Sequence, residues 1–95
     1  MVAIEDVYGQ IARFAQERGV QRVMLFGSRA RGDNTPKSDI DIAVEGCRDF
    51  PGFLYDVQER LWSLLEIDAI DLDQQIAPEL RECIARDGKV IYEAV

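Results

Sequence analysis

Leu25-Phe26-Gly27-Ser28-Arg29-Ala30-Arg31-Gly32-Asp33-Asn34-Thr35-Pro36-Lys37-Ser38-Asp39-Ile40-Asp41-Ile42-Ala43-Val44 is the stretch on which the reading of this chain turns. It opens on the end of an apolar run, Val23 to Phe26, that does not alternate and so belongs to a central strand covered on both faces. Gly27 breaks that strand. Ser28 stands where it can cap a helical turn over Arg29 to Gly32, and Gly32 to Pro36 is dense in turn formers that should reverse the chain. From Asp39 to Glu45 a second strand follows, with Ile40, Ile42 and Val44 facing one way and Asp39, Asp41 and Ala43 the other.

The chemistry of this unit follows from its residue types. A glycine directly after a buried strand lets the backbone approach a ligand, and a serine beside it adds a hydroxyl to the unpaired amides of a helical turn, an arrangement suited to phosphate. Arg29, Arg31 and Lys37 bring positive charge into the same excursion. Asp39 and Asp41 project from one strand face, where their mutual repulsion raises at least one pKa. A hard cation such as magnesium relieves that repulsion and also binds nucleotide phosphates. Each piece alone is weak, because Gly-Ser pairs are common and Asp71-Leu72-Asp73 is a second Asp-x-Asp. The joint pattern carries the information: Gly-Ser closes a buried strand and Asp-x-Asp opens the next, ten residues on.

Outward from this unit, Ile4, Val7, Ile11, Phe14 and Ala15 recur at helical spacing, with Gly19 as the stop. Strand character runs from Val20 to Phe26. Beyond a loop at Gly46 to Gly52, the stripe Leu54, Val57, Leu61, Leu64 and Leu65 predicts a helix over 53–65, with Trp62 beside the stripe at its edge or on a partner. A third strand spans Ile67 to Leu72 and puts Asp68 and Asp71 on opposite faces. Pro78 opens a third helix with Leu80, Cys83 and Ile84 as its apolar side, and Lys89 to Tyr92 forms a last strand. The expectation is an α/β fold: a small mixed sheet of about four strands, helices mainly on one face and the carboxylates on the other. At 95 residues the chain is expected to be one domain, 1–95.

Composition narrows the chemistry. The chain is 47% hydrophobic and 31% charged, as a globular domain is, and charged residues in its first twenty positions argue against a signal peptide or membrane span, with cytoplasmic residence as the default. With no histidine, imidazole acid–base catalysis is excluded, and Cys47 and Cys83, far apart in sequence, read as two free thiols rather than a metal site. A net charge of −7 argues against direct nucleic-acid binding and would suit a basic protein partner.

Gly27-Ser28, ten residues, then Asp39-Ile40-Asp41, after the apolar strand Val23 to Phe26, resembles the minimal nucleotidyltransferase family of the polymerase-beta-like superfamily. Arg29-Ala30-Arg31-Gly32-Asp33 is similar to that family's wording between the motifs, and Ile67 to Leu72 resembles the strand bearing its third carboxylate. The resemblance implies ATP bound with magnesium. Asp39 and Asp41 would be metal ligands, Gly27 and Ser28 would hold phosphates with Arg29 or Arg31 assisting, and the third carboxylate would complete the catalytic and metal set at the acceptor hydroxyl. Asp68 is taken for that position because its neighbours match the family pattern, with Asp71 as competitor and Asp73 in a loop. Small stand-alone members resemble the antitoxin half of a two-gene toxin–antitoxin module, which transfers AMP to a tyrosine of an all-helical HEPN-domain ribonuclease toxin. Two alternatives stay open: an antitoxin that neutralises by binding alone, and a transferase acting on a small molecule or RNA end.

Overall fold

In the computed structural model, which describes residues 3–94, the apolar runs of the two motif strands lie at the centre of the molecule. Val23, Ile40, Ile42, Ala43 and Val44 are wholly buried. β1 (Arg22–Phe26) pairs antiparallel with β2 (Ile40–Glu45) on one side and with β4 (Lys89–Glu93) on the other, while β3 (Ile67–Asp71) adds parallel to β2. The sheet is therefore mixed, in the order β3-β2-β1-β4, and β1 is central as its unbroken hydrophobicity requires.

Helix α1 (Ile4–Glu17) buries Val7, Ile11, Phe14 and Ala15 against one face. Helix α3 (Phe50–Tyr55) adds Phe53 to the same core, together with Val20, Val23, Leu25, Ile40, Ile42, Val44 and Ile67. The opposite face carries a smaller core of Phe26, Ala43 and Ile84, the last from α4 (Pro78–Asp87), with Met24, Ile70 and Leu80 packed around them. Most of the helical cover thus lies on one face, and α4 shares the other with the carboxylates. No helix among the described residues is long and apolar enough to cross a membrane.

Three local expectations are corrected. The helical turn α2 spans Ser28–Arg31, so Gly27 occupies the capping position and Ser28 is not a side-chain cap. The second long helix starts earlier than 53, because Asp49 caps it by accepting the Gly52 N–H at 3.1 Å and Pro51 fits its first turn. It also stops short of 65. After Tyr55 the chain widens into a π-helical turn, Asp56–Arg60, and Leu61 is already extended.

Two side-chain interactions account for that early end. The Asp56 carboxylate, 1% exposed, accepts hydrogen bonds from Arg18 Nε at 2.8 Å and Arg60 Nη1 at 3.2 Å, which anchors the π turn to the end of α1. The Gln10 side chain then grips the backbone of Trp62 in both directions, accepting its N–H at 2.8 Å and donating to its carbonyl at 3.3 Å. With its N–H already given to Gln10, Trp62 cannot donate the hydrogen bond that would carry the helix through it. Leu61 and Leu65 still pack on the core, whereas Leu64, expected in the apolar stripe, is fully exposed.

Candidate active site

Gly27 has φ +75° and ψ −155°, a conformation open essentially to glycine alone. A Cβ there would lie 2.5 Å from Asp41 Oδ2. Residue 27 is therefore glycine for two reasons: the backbone must turn sharply off β1, and the Asp41 carboxylate needs the space. Both Ala30 and Arg31 return their N–H groups to the Gly27 carbonyl at 3.1 Å, so the amides of Ser28 and Arg29 come before the turn's own hydrogen bonds. Ser28, whose hydroxyl makes no capping hydrogen bond, is half-buried at the same turn.

The carboxylates are arranged by sheet register. Asp41 pairs across the antiparallel ladder with Phe26 and across the parallel ladder with Asp68. Alternation places Asp41 and Asp68 on the face that carries Ala43 and Ile70 deeper in the sheet. Asp39 lies exposed immediately before β2. Asp71 pairs with Val44, falls on the other face, and accepts the Asp73 N–H at 3.0 Å. Asp73 ties down the end of β2 by accepting the N–H groups of Gly46 at 2.9 Å and Cys47 at 3.2 Å.

Asp41 feels its surroundings. Partial burial pushes its carboxyl above the ordinary range, the charges of Asp68 and then Asp39 push it further, and Arg31 opposes them. Asp68 and Asp39 are thus close enough for their charges to act on Asp41, although among the described residues no set of three Asp, Glu or Cys side chains is gathered to metal-ligating distance. That arrangement fits magnesium, which keeps much of its water and is usually held by one or two carboxylates together with substrate phosphates. The hard oxygen donors and the like charges acting on Asp41 fit a cation at Asp39 and Asp41.

The cations divide. Arg29 is consumed by the loop between the motifs: its Nε and Nη2 donate to the Ser38 carbonyl at 3.1 and 2.9 Å, and Nη2 donates to Pro36 O at 3.2 Å. It holds the approach to Asp39 rather than reaching outward. Arg31 is exposed, pairs with Asp33 at 3.2 Å and acts electrostatically on Asp41, so it is the motif arginine positioned toward the carboxylates. Sequence reasoning missed the loop role of Arg29, since nothing local signals which carbonyls a tertiary turn will present.

A second feature that periodicity concealed is a cavity of about 340 Å³ between the π turn and β3, where Asp68 forms part of the lining. Cys47 and Cys83 are free thiols.

A mixed sheet with a Gly-Ser turn off its central strand, two motif aspartates at the head of the next, and a further aspartate in register on the third defines a nucleotidyltransferase of the polymerase-beta type. The family model described as "Polymerase beta, Nucleotidyltransferase" matches residues 9–94, and the chain belongs to that family. It is 55% identical over 81 residues to "Putative protein adenylyltransferase" of Methanocaldococcus jannaschii, an alignment covering 77% of this chain and 79% of that protein. The fold superposes on a chain in the crystal structure of a toxin–antitoxin with AMP-PNP, with a TM-score of 0.70, 23% identity, and coverage of 92% of this chain and 73% of that one. A mutant MntA–HpeT toxin–antitoxin complex gives a TM-score of 0.67 at 25% identity, covering 90% of this chain and 72% of that one.

Proposed function

We propose that this nucleotidyltransferase moves AMP from magnesium-bound ATP to a tyrosine hydroxyl of a partner protein, a HEPN-type ribonuclease toxin, and thereby acts as its antitoxin. The single observation carrying the catalytic part is the register Asp41–Asp68 beside a Gly27 whose missing side chain leaves room at Asp41. The partner rests on similarity to a relative named for protein adenylylation and to chains from toxin–antitoxin complexes.

Each residue then has a task. Gly27 and Ser28 offer amide hydrogens and a hydroxyl to the β- and γ-phosphates, with Arg31 at the exposed side. Asp39 and Asp41 would hold magnesium, which would supply neutralising charge to the phosphates. Asp68, on the adjacent strand, completes the catalytic and metal set and accepts the proton of the acceptor hydroxyl as that oxygen bonds to the α-phosphorus. The bond from the α-phosphorus to its bridging oxygen breaks in line, and pyrophosphate leaves. Arg29 keeps Asp39 in place through the loop carbonyls.

Co-expression with the product of the neighbouring gene tests the reading. In the presence of ATP and magnesium that protein should gain mass in whole AMP units and lose nuclease activity, because each added phosphodiester brings negative charge to a site that must receive an RNA backbone. Changing Asp39 and Asp41 together to Ala should prevent both. Full protection by the double variant, with no AMP on the partner, would instead favour neutralisation by binding alone.

A further inference from the structure

The cavity between the π turn and β3 has a floor of Val57 and Ile67 and a rim that includes Gln58, Glu59, Glu66 and Asp68. Lysine and arginine are absent from its lining, so it repels a triphosphate and is unsuited to the nucleotide. Asp68 belongs both to this cavity and to the carboxylate set, since its charge acts on Asp41. Asp68, at the edge of the cavity and in register with Asp41 on the neighbouring strand, links the cavity's lining to the carboxylate set. At about 340 Å³ the cavity lies at the small end of ligand pockets and suits a side chain or two rather than a second nucleotide.

The loop joining the two walls of the cavity carries the most exposed large apolar side chains among the described residues, Trp62 at 78% and Leu64 fully exposed. Gln10 fixes the Trp62 backbone at both its N–H and its carbonyl, and the residue lies exposed. Tyr55, also exposed, lies just ahead of the π turn. β3 is an edge strand, and Gln58 Nε2 donates to its outward Ile67 carbonyl at 3.3 Å, which blunts strand addition there and leaves a side-chain socket. Exposed apolar side chains in the loop that joins the walls of a small socket suit an interface in which a partner's side chain fills the socket.

We infer that this cavity, together with the exposed Trp62 and Leu64 of the loop joining its walls, is the docking surface for the acceptor: a basic segment of a protein that carries an aromatic hydroxyl. The inference rests on the protein-acceptor reading above and adds where that acceptor binds. The apolar floor receives the ring, Asp68 meets the hydroxyl, and Glu59 and Glu66 meet flanking cations. A second copy of this acidic chain is disfavoured by the same charges.

Trp62, the chain's one tryptophan, is a built-in reporter. A synthetic peptide with tyrosine between arginines should blue-shift its emission saturably, and the same peptide with glutamates should not. Leu64→Arg combined with Glu59→Lys should weaken peptide binding at least ten-fold while leaving the ATP–magnesium melting shift at its wild-type value. A flat titration, equal affinity for the two peptides, or unchanged binding by the variant overturns the proposal. If the basic peptide docks but gains no AMP while ATP and magnesium still stabilise the protein, the surface stands and the protein-acceptor reading fails. If AMP is incorporated equally by wild type and variant, the reading stands and the surface fails.

Discussion

Gly27 concentrates two demands on one position, and its replacement separates them. Gly27→Ala forces an L-residue into a glycine-only region at about 1–3 kcal/mol and drives its Cβ into Asp41. The expected outcome is a lowered melting temperature together with loss of the shift produced by ATP and magnesium. Asp68 and Asp71 separate by strand face. Asp68→Asn should abolish AMP transfer, measured by intact mass, while sparing much of the ATP binding. Asp71→Asn should retain most transfer and lose about 1 kcal/mol or less with its turn hydrogen bond. The reverse pattern would move the third carboxylate role to Asp71. Asp68 could be chosen from its neighbours in the sequence, but its nearness to Asp41 is a fact of parallel register, which no local pattern specifies.

At the scale of elements, the join between α1 and the π turn is the part periodicity misread. Leu54, Val57, Leu61, Leu64 and Leu65 do recur at helical spacing, yet the buried charge at Asp56 and the Gln10 clamp on Trp62 override it. The Asp56 carboxyl is held below the ordinary carboxylate range, first by its hydrogen bond to Arg18 and then, against the cost of burial, by Arg60. A depressed folded pKa means that the unfolded chain binds the proton more readily, so the stabilisation is complete above about pH 4 and fades as pH falls through the folded value. Asp56→Asn should cost about 2–3 kcal/mol at neutral pH, at or below the usual penalty for breaking a buried pair because both arginines can turn to water. That corresponds to a drop of about 10–20 °C in melting temperature for a domain of this size. In urea melts repeated at falling pH, the gap between variant and wild type should narrow below about pH 4. A gap independent of pH would show that Asp56 acts through packing rather than charge.

At the scale of the whole molecule, one face of the sheet is a conventional core and the other accommodates mutually repelling carboxylates beside a small second core. Stability and function therefore oppose each other at Asp41. Asp41→Asn relieves both its burial as an anion and its repulsion by Asp68 and Asp39, so the ligand-free variant should melt no lower than wild type. At a hundredfold excess over Kd, a ligand of the native state adds about 2.7 kcal/mol, so ATP with magnesium should raise the wild-type melting temperature by roughly 10–20 °C. The magnesium-dependent part of that shift should vanish in Asp41→Asn. An equal shift in both proteins would remove Asp41 from the metal site.

The central strand, the glycine break, the alternating face of β2 and the Gly-Ser to Asp-x-Asp spacing were all determined by the sequence itself. Each depends on residue type and on a period of two along one short segment, and interactions of that range are local. Tertiary structure alone decided the rest. Strand register brought Asp68 to Asp41, loop carbonyls drew Arg29 inward, and long-range bonds from Arg18 and Gln10 ended a helix that its own leucines would have continued. Those outcomes turn on hydrogen bonds and charges between residues distant along the chain, whose partners are set only once the sheet has closed.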